Sequence, residues 1–404
     1  MNCQVCGFSS FLPVLDLGML PLVNDLPKSE LYEVDNCHEL SIIQCENCSL
    51  VQLSSFPSMS EIFPEDYPYL SGLTPPLLQN FSQQVDSVVE FFNGRLIKVV
   101  DIGSNDGSLL SFYKVLGNQV LGVEPTSAAD VANSNDILTI KSYFNSQTSR
   151  EVNQILEEAD VVTATNVFAH IPQPVEIVEN ISQILSQDGI FVSENHYFLD
   201  LVESLQIDTI YHEHLRYYTL HSISYLLQKS GFEVFRVDRI DSHGGSIRVW
   251  SGRIGVHEVQ DSVTELLKLE KDSGFIDGTY IQGLQKAVKN WRLEIRSQIE
   301  TILKDGGRIV GVGAPSRAVT LVTYLGLNSD DLLCIIEKSG SKKIGKRIPS
   351  TKISIVDESA LAQIDPTHLL ILSWHIKDSL MPIFRNKGYQ GLFITPLPVP
   401  TVSK

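Results

Sequence analysis

The chain has 404 residues, enough for two or three domains at roughly 150 residues each. Lys and Arg total 31 and Asp and Glu total 48, which gives a net charge of −17. So acidic a chain argues against a protein that coats nucleic acid or an anionic membrane, because both functions need a positive surface. A small anionic ligand is compatible with this charge, since a few local Lys and Arg side chains are enough to hold it.

The hydrophobic pattern and the first residues predict a cytoplasmic protein. No apolar run approaches the ~18 residues of a membrane helix. The opening residues, MNCQVCGFSS, contain neither the basic region nor the apolar core of a secretory signal. In a reducing cytosol, the six cysteines favour metal binding over disulfides.

Strand and helix patterns alternate through the middle of the chain. Residues 61–95 begin rich in proline and aromatic residues, then become amphipathic, which predicts a helix over 76–92. Buried strands are predicted at 96–102, 119–124, 160–165 and 189–194, with amphipathic stretches between them. This alternation predicts a parallel sheet with helices on both faces.

The pattern changes near residue 255. A charged, helical region includes one long predicted helix at 282–303, which ends at Asp305-Gly306-Gly307. A second α/β series has predicted strands at 308–313, 331–337, 368–373 and 391–395. We therefore predict a small N-terminal domain, an α/β domain, a helical connection and a second α/β domain, at 1–60, 61–255, 256–304 and 305–404.

Two CxxC pairs, Cys3 with Cys6 and Cys45 with Cys48, predict a zinc site in the N-terminal domain. Each pair turns two thiolates toward one ion, and two pairs complete a tetrahedron. Four thiolates fill the coordination sphere, so the zinc is expected to be structural. The alternative is two unrelated cysteine pairs.

The first α/β domain has a glycine-containing loop, DIGSNDG at 101–107, between a predicted strand and a helix. Gly103 permits close approach of a ligand, and the helix N-terminus offers free N–H groups. Glu124 ends the next strand, where an acid accepts the ribose hydroxyls of an adenosine. The loop lacks GxGxxG and instead has acids, Asp101 and Asp106, which suit a cationic cofactor without phosphates. S-adenosylmethionine fits this chemistry; the alternative is a degenerate nucleotide-binding fold.

A dense acid–base cluster occurs in YHEHLRYY at 211–218. Histidine transfers protons near pH 7, a neighbouring Glu orients it and raises its basicity, and a Tyr hydroxyl donates to a developing oxyanion. The cluster therefore predicts proton-transfer chemistry. The alternatives are a metal pair, His212 with His214, and a buried polar cluster that ties a loop.

Four further features lie in predicted loops or near predicted strand ends. His170 follows the third predicted strand, at the sheet edge where α/β folds bind ligands, although a helix-start role also fits. His243 lies in a glycine-rich stretch that fits a tight turn as well as a binding loop. The second glycine-rich loop, from Gly311, has Ser316 where a dinucleotide fingerprint has its third glycine, so NAD is disfavoured. The basic run from Lys338 to Arg347 is either a solvated loop or part of an anion site.

These motifs and their order resemble the S-adenosylmethionine-dependent C-methyltransferases of nucleotide-linked deoxy-keto-sugars, especially the C-3 methyltransferases of branched deoxysugar biosynthesis. The resemblance covers nearly the whole chain. It rests on the four cysteines together with DIGSNDG at 101–107, NVFAHI at 166–171, YHEHLRYY at 211–218, HGGSIRV at 243–249 and GVGAPSRAVTL at 311–321. It implies an α/β fold: a class I methyltransferase doubly wound sheet, a small N-terminal zinc-binding domain and a C-terminal Rossmann-like α/β domain. The implied state is a monomer.

The resemblance also implies residue roles. His214 would be the base that removes the sugar proton next to the ketone, with Tyr211, Glu213 and His170 around the substrate. The implied cofactor-binding residues are Asp101, Gly103, Ser104, Asn105, Glu124 and Asn166. The implied substrate-binding residues are Tyr67 or Tyr69 in the active site, His243, and Arg317 toward the diphosphate in the C-terminal domain.

The predicted reaction follows ordinary enolate chemistry. A carbon centre is a poor nucleophile until it is deprotonated, and a neighbouring ketone takes up the charge before the enolate attacks the sulfonium methyl. Two rival hypotheses remain: an O- or N-methyltransferase of another small molecule that uses the same His214, and a catalytically inactive, zinc-anchored binding module. The sequence does not specify the sugar, its nucleotide or the methylated carbon.

Overall fold

The computed structural model describes residues 1–29, 35–62, 72 and 75–404. Its strands, in chain order, are β1 Phe11–Pro21, β2 Cys37–Cys45, β3 Val51–Leu53, β4 Lys98–Ile102, β5 Gln119–Val123, β6 Thr139–Ile140, β7 Ala159–Thr165, β8 Leu185–His196, β9 Arg216–Tyr217, β10 Phe232–Ile240, β11 Ser246–Arg253, β12 Ile309–Val312, β13 Ile335–Glu337, β14 Ile355–Asp357, β15 His368–Ile371, β16 Leu392–Thr395 and β17 Thr401–Ser403. Its helices are α1 Met59–Ile62, α2 Pro75–Phe91, α3 Ser108–Val115, α4 Ala128–Ser134, α5 Ser146–Leu156, α6 Pro174–Ile184, α7 Phe198–Glu203, α8 Leu220–Gln228, α9 Asp261–Asp272, α10 Ile281–Lys304, α11 Ser316–Leu325, α12 Leu361–Ile364 and α13 Lys377–Asn386.

The middle of the chain forms a seven-stranded sheet in the order β10-β11-β8-β7-β4-β5-β6. The strands from β8 to β6 are parallel, and β11 runs antiparallel between β8 and β10. Val99 and Val100 of β4 are both fully buried, as expected for a strand covered by helices on both faces. The four strands predicted here are confirmed as β4, β5, β7 and β8.

The C-terminal part forms a six-stranded sheet in the order β14-β13-β12-β15-β16-β17, parallel except for β17. All four strands predicted here are confirmed, as β12, β13, β15 and β16. In both parallel sheets the first strand lies between its second strand and a later one. A crevice therefore opens at the carboxyl ends of β4 and of β12, where ligands of such folds bind.

The N-terminal sheet, β1-β2-β3-β9, is antiparallel and takes its last strand from far along the chain. Strand β9 belongs to the acid–base segment, and it pairs Tyr217 with Val51 and Arg216 with Gln52 of β3. The N–H of Leu53 extends this connection by donating to the carbonyl of Leu215 at 2.9 Å. The zinc-binding part is thus joined directly to residues 211–218, a pairing that the sequence did not predict.

Helix α10 connects the N-terminal and C-terminal sheets. Its buried residues, Ile281, Leu284, Val288, Trp291, Ile295 and Ile299, recur at helical spacing and form one apolar stripe. Gln285 donates to the carbonyl of Val14 on β1 at 3.0 Å, and the indole N–H of Trp291 donates to the carbonyl of Pro396 at 2.6 Å. Within the described ranges, no helix has both the length and the apolar character needed to cross a membrane.

Candidate active site

The four predicted zinc ligands converge at one point. The sulfurs of Cys3 and Cys48 lie 3.5 Å apart, as do those of Cys6 and Cys45, and all four lie within 4.8 Å of one another. Tetrahedral zinc with Zn–S bonds of ~2.3 Å separates its sulfurs by about 3.8 Å, so the cluster fits the ion. Backbone turns position the thiols: the Gly7 N–H donates to the Cys3 carbonyl at 3.0 Å, and the Ser49 N–H does the same for Cys45 at 3.0 Å.

The loop after β4 is shaped by a glycine and held by a glutamate. Gly103 has a φ of +71°, and a Cβ on it would lie 2.5 Å from Val167, so only glycine fits this crossing. The carboxylate of Glu124, directly after β5, accepts the Asn105 N–H at 3.1 Å and the Thr126 N–H at 2.9 Å. Glu124 therefore lies beside the loop, as predicted, and shapes its backbone.

Two polar groups of this loop region are buried. Asp101 accepts a hydrogen bond from the Thr163 hydroxyl at 2.7 Å, and burial, reinforced by the nearby Glu124, raises the pKa of Asp101 to about 7. The hydroxyl of Ser104 is buried and has no hydrogen-bond partner among the described residues. The sequence contains no Lys or Arg between residues 99 and 113, so the loop suits a cation better than a phosphate.

Asn166 lies directly after β7 with a φ of +57°. Its N–H donates to the carbonyl of Glu194 on β8 at 2.8 Å. The Glu194 carboxylate is in turn buried against Arg248 at 3.2 Å and the Asn80 amide at 2.8 Å. This triad, which the sequence interpretation missed, holds α2, β8 and β11 together behind Asn166.

His214 is buried, and its protonation state follows from its neighbours. Its Nδ1 lies 2.8 Å from the Thr209 carbonyl, which only accepts hydrogen bonds, so Nδ1 carries the proton and Nε2 carries the lone pair. Burial, together with the nearby His170, holds the pKa of His214 well below its usual value. The ring is therefore neutral at pH 7, as a general base must be. The Tyr211 ring packs on it with 4.2 Å between ring centroids.

Hydrogen bonds join the loop that carries His170 to the segment that carries His214. The Nδ1 of His170 donates to the Glu213 carbonyl at 2.8 Å, and the Leu215 N–H donates to the Ala169 carbonyl at 2.8 Å. The His170 and His214 ring centroids are 5.0 Å apart. Burial lowers the pKa of His170 to about 4, so it too is neutral.

A third histidine, His196, completes this cluster and was missed by the sequence interpretation. It ends β8, and its ring centroid lies 5.4 Å from that of His214 and 5.5 Å from that of His243. Its Nε2 is buried without a hydrogen-bond partner in the described part of the chain. The sequence offered one signal for it. His196 follows the predicted strand at 189–194, which lies in the same sheet as the strand that precedes His170.

His212 does not join His214 in a metal pair. Its ring contacts His38 edge-on, with centroids 5.8 Å apart, and its Nε2 lies 3.2 Å from the Glu39 carbonyl on β2. Within the described ranges, the four cysteines form the only group of three or more residues placed to hold a metal. His212 thus serves the loop-tying role that the sequence left open, and His214 faces the histidine cluster.

Arg317 lies at the start of α11 and reaches the same cluster from the C-terminal part. Its guanidinium pairs with the buried carboxylate of Asp208 at 2.9 and 3.1 Å. Trp374 donates to the same carboxylate at 2.8 Å. Burial, reinforced by the charge of Arg317, lowers the pKa of His243 to about 4. A diphosphate contact by Arg317 stays a prediction.

The carboxylate of Glu213 contacts Asn24, in the N-terminal part of the chain. The Asn24 amide donates to it, and the Asn24 oxygen accepts from the Ser316 hydroxyl at 3.0 Å. Lys343, a half-buried residue of the basic run, donates to the Ala314 carbonyl at 2.6 Å. Asn24 and Lys343 were not predicted, and both lie where the N-terminal and C-terminal parts meet the acid–base segment. Tyr67 and Tyr69 lie outside the described residues.

Three family models match consecutive parts of the chain: “Putative zinc binding domain” at residues 3–63, “Methyltransferase domain” at 78–237 and “C-methyltransferase C-terminal domain” at 241–398. Together with the observed sheets, they confirm the predicted fold class.

Among curated proteins, the C-methyltransferase NovU of Streptomyces niveus is 30% identical and aligns over 99% of this chain and 96% of its own length. The ubiquinone biosynthesis O-methyltransferase of Histophilus somni (strain 2336) is 24% identical over 36% of this chain and 63% of its own length. A solved structure, the magnesium protoporphyrin IX methyltransferase of Synechocystis PCC 6803, aligns over 44% of this chain and 83% of its own, with a TM-score of 0.35 and 16% identity.

Proposed function

We propose, for a chain that belongs to the family of S-adenosylmethionine-dependent C-methyltransferases, that the methyl acceptor is the carbon next to the ketone of a nucleotide-linked deoxy-keto-sugar. Full-length similarity to NovU supports carbon as the acceptor atom. The sugar class is supported by the resemblance of the motifs and by a site built for proton abstraction. The steps below assign this work to residues of the chain.

The loop at 101–107 is the proposed donor site. S-adenosylmethionine, when bound, supplies a methyl group on a positively charged sulfur. Glu124 is placed to accept ribose hydroxyls, and the unpartnered hydroxyl of Ser104 offers a further contact. Asp101 contributes negative charge near the cation as it ionises. Gly103, Asn105 and Asn166 shape the surrounding backbone.

His214 is the proposed base. Its Nε2 accepts the proton from the carbon next to the ketone, and the electron pair of that C–H bond moves onto the ketone oxygen. The carbon then forms its bond to the methyl group as the bond from that methyl to sulfur breaks, and the proton remains on His214. The hydrogen bond from Nδ1 to Thr209 fixes the tautomer that this step needs.

Charge on the ketone oxygen needs donors, because the cluster around His214 is buried. Tyr211 packs against the base and is the proposed hydroxyl donor. His170 and Glu213 hold the base and the substrate in place through the bonds between their two loops. Positioning of two bound reactants contributes several kcal/mol, roughly 7–11 in well-oriented cases.

The observation that carries the proposal is a neutral, buried imidazole whose tautomer is fixed by Thr209. The test uses purified protein, S-adenosylhomocysteine and a panel of nucleotide-linked 4-keto-sugars in D₂O. Because this donor analogue has no methyl to transfer, we expect deuterium to accumulate at one carbon beside the ketone.

With S-adenosylmethionine, carbon NMR should then place the methyl on that same carbon, with loss of its proton. A methyl group on oxygen or nitrogen would instead favour the O- or N-methyltransferase. Absence of heat on titration with S-adenosylmethionine would favour the inactive binding module.

A further inference from the structure

Arg216 is a buried cation between the zinc ligands and the histidine cluster. It is 1% exposed and, in the part of the chain that the structure describes, pairs with no carboxylate. Its Nε donates to the side-chain oxygen of Gln4 at 2.8 Å, and one terminal nitrogen donates to the Phe168 carbonyl at 2.9 Å. The other terminal nitrogen reaches the Pro172 carbonyl at 3.5 Å.

These contacts fix the loop that carries His170. The carbonyls of Phe168 and Pro172 lie on either side of His170 in sequence, so the guanidinium holds both ends of this short loop. Arg216 itself lies two residues after His214 and is paired with Gln52 in the N-terminal sheet. One side chain thus sets the position of His170 relative to His214.

The other end of the link lies inside the zinc site. Gln4 stands between Cys3 and Cys6, and its N–H donates to the Gln52 side chain at 2.9 Å, which holds it on β3. Four thiolates outweigh the charge of one zinc ion, so the bound centre is negative and stabilises a buried guanidinium nearby.

We propose that Arg216 is a positioning residue that couples the zinc site, through Gln4, to the catalytic geometry of His170 and His214. The zinc then acts beyond local folding, because the turn of Cys3 and Cys6 sets where Arg216 holds the two loops. Misplacement of such groups by about 1 Å costs on the order of 10²-fold in rate. The rate part of this inference rests on the proposed function.

The test compares Gln4→Leu with Lys229→Met. Lys229 donates to the Val5 carbonyl, within the same CxxC turn, at 2.9 Å; among the described residues it makes no side-chain hydrogen bond to the loops that carry His170 and His214. NMR of ¹³C-labelled imidazoles is the first readout, with His368 on β15 as internal reference. We expect Gln4→Leu to retain wild-type zinc content and to shift the His170 and His214 signals, whereas Lys229→Met shifts neither.

Kinetics give the second readout. In Gln4→Leu, kcat is expected to fall about 10- to 100-fold while KM for the donor stays unchanged. Arg216→Lys keeps the charge but loses the guanidinium group that donates to several acceptors at once. Its imidazole signals and its kcat should lie between those of wild type and of Arg216→Gln. If Gln4→Leu loses zinc, Arg216→Lys decides, because it leaves the zinc turn intact.

Unchanged imidazole signals in Gln4→Leu, or equal shifts in Lys229→Met, overturn the coupling. The spectra need no sugar. If no sugar of the panel is methylated, the proposed function fails and the spectra still decide the coupling.

Discussion

The two parallel sheets have the same loop arrangement after their first strands, but the side chains around the two loops differ in charge. In each, the first strand is followed by a glycine with positive φ, +71° at Gly103 and +79° at Gly313. In each, a glutamate at the end of the second strand holds an N–H of that first loop: Glu124 holds Asn105 at 3.1 Å, and Glu337 holds Ala314 at 2.7 Å. Both sheets therefore use a positive-φ glycine and a glutamate that accepts a backbone N–H to shape this loop.

The side chains around the two loops have opposite signs. The first loop is flanked by Asp101 and Asp106, and the second by Arg317 and Lys343. The predicted ligands differ in the same sense, a sulfonium cation for the first and a diphosphate for the second. The prediction is therefore that the same backbone arrangement serves two ligands of opposite charge. The predictions below separate the contributions of the two sheets.

The largest effect is expected from His214→Gln. Loss of a positioned base lowers rates by about 10²–10⁴-fold, so deuterium exchange and methylation should fall together. Donor affinity, measured by calorimetry, should stay unchanged because the variant leaves the first loop intact. His212→Gln is the matched control two residues away, and it should keep most of the exchange rate. Undiminished exchange in His214→Gln would remove the base from the mechanism.

Arg317→Met tests the buried ion pair between Arg317, in the C-terminal part, and Asp208. It leaves the Asp208 carboxylate buried and without its ion-pair partner, which costs about 3–5 kcal/mol in unfolding free energy. Urea denaturation measures this. Arg308→Met, which breaks the exposed pair with Asp365, is the control and should cost at most about 1 kcal/mol. Similar losses in both variants would show that burial does not strengthen the Arg317 pair.

Glu124→Gln and Glu337→Gln test whether the two glutamates serve different ligands. Hydrogen bonds to a charged group contribute about 1.5–3 kcal/mol, so Glu124→Gln should weaken donor binding by roughly 10- to 100-fold. Glu337→Gln should leave donor binding unchanged and act only on the nucleotide-sugar. Calorimetry with S-adenosylmethionine measures the first effect, and KM for the sugar measures the second. Equal weakening of donor binding by both variants would contradict separate roles.

A pH profile tests the state of the histidines that both sheets surround. Because burial holds the pKa of His214 well below 6.5, the base stays unprotonated as pH falls from 8 to 6.5. Exchange at saturating donor should therefore be level over this range, with its acid limb clearly below pH 6.5. Saturation removes the contribution of Asp101, whose pKa of about 7 affects donor binding instead. An acid limb centred near 6.5 would mean that His214 is exposed to water.

Local sequence patterns predicted the two parallel sheets because apolar strands and their glycine loops are short-range features. The CxxC spacing likewise placed the four cysteines at one point. The pattern 166–171 and the segment 211–218 were both selected for their residue types, and the structure brings them together through His170 and Glu213.

What the sequence did not predict depends on long-range register. Strand β9 has only two residues, Arg216 and Tyr217, too few for any periodic signal, yet it joins the N-terminal sheet to the predicted acid–base segment. His212 and His214, two residues apart, have different neighbours: His212 contacts His38 and the Glu39 carbonyl, and His214 contacts His170 and His196. His196 stood alone between predicted elements, and only the tertiary structure brings its ring to 5.4 Å from that of His214, centroid to centroid.

The last comparison is between Gly103→Ala and Gly313→Ala, and the smaller effect is expected for Gly313→Ala. Positive φ alone costs an alanine roughly 1–2 kcal/mol, so both variants should lose about that much in unfolding free energy. At Gly313 the new Cβ would meet the Ser373 hydroxyl at 2.6 Å, and a serine side chain rotates away easily. At Gly103 it would meet the branched Val167 at 2.5 Å, and overpacking there adds about 1–3 kcal/mol. Val167 is next to Asn166, a proposed cofactor-binding residue, so Gly103→Ala should also weaken donor binding, whereas Gly313→Ala should not. Equal losses in stability and in donor affinity would show that the two loops are packed alike.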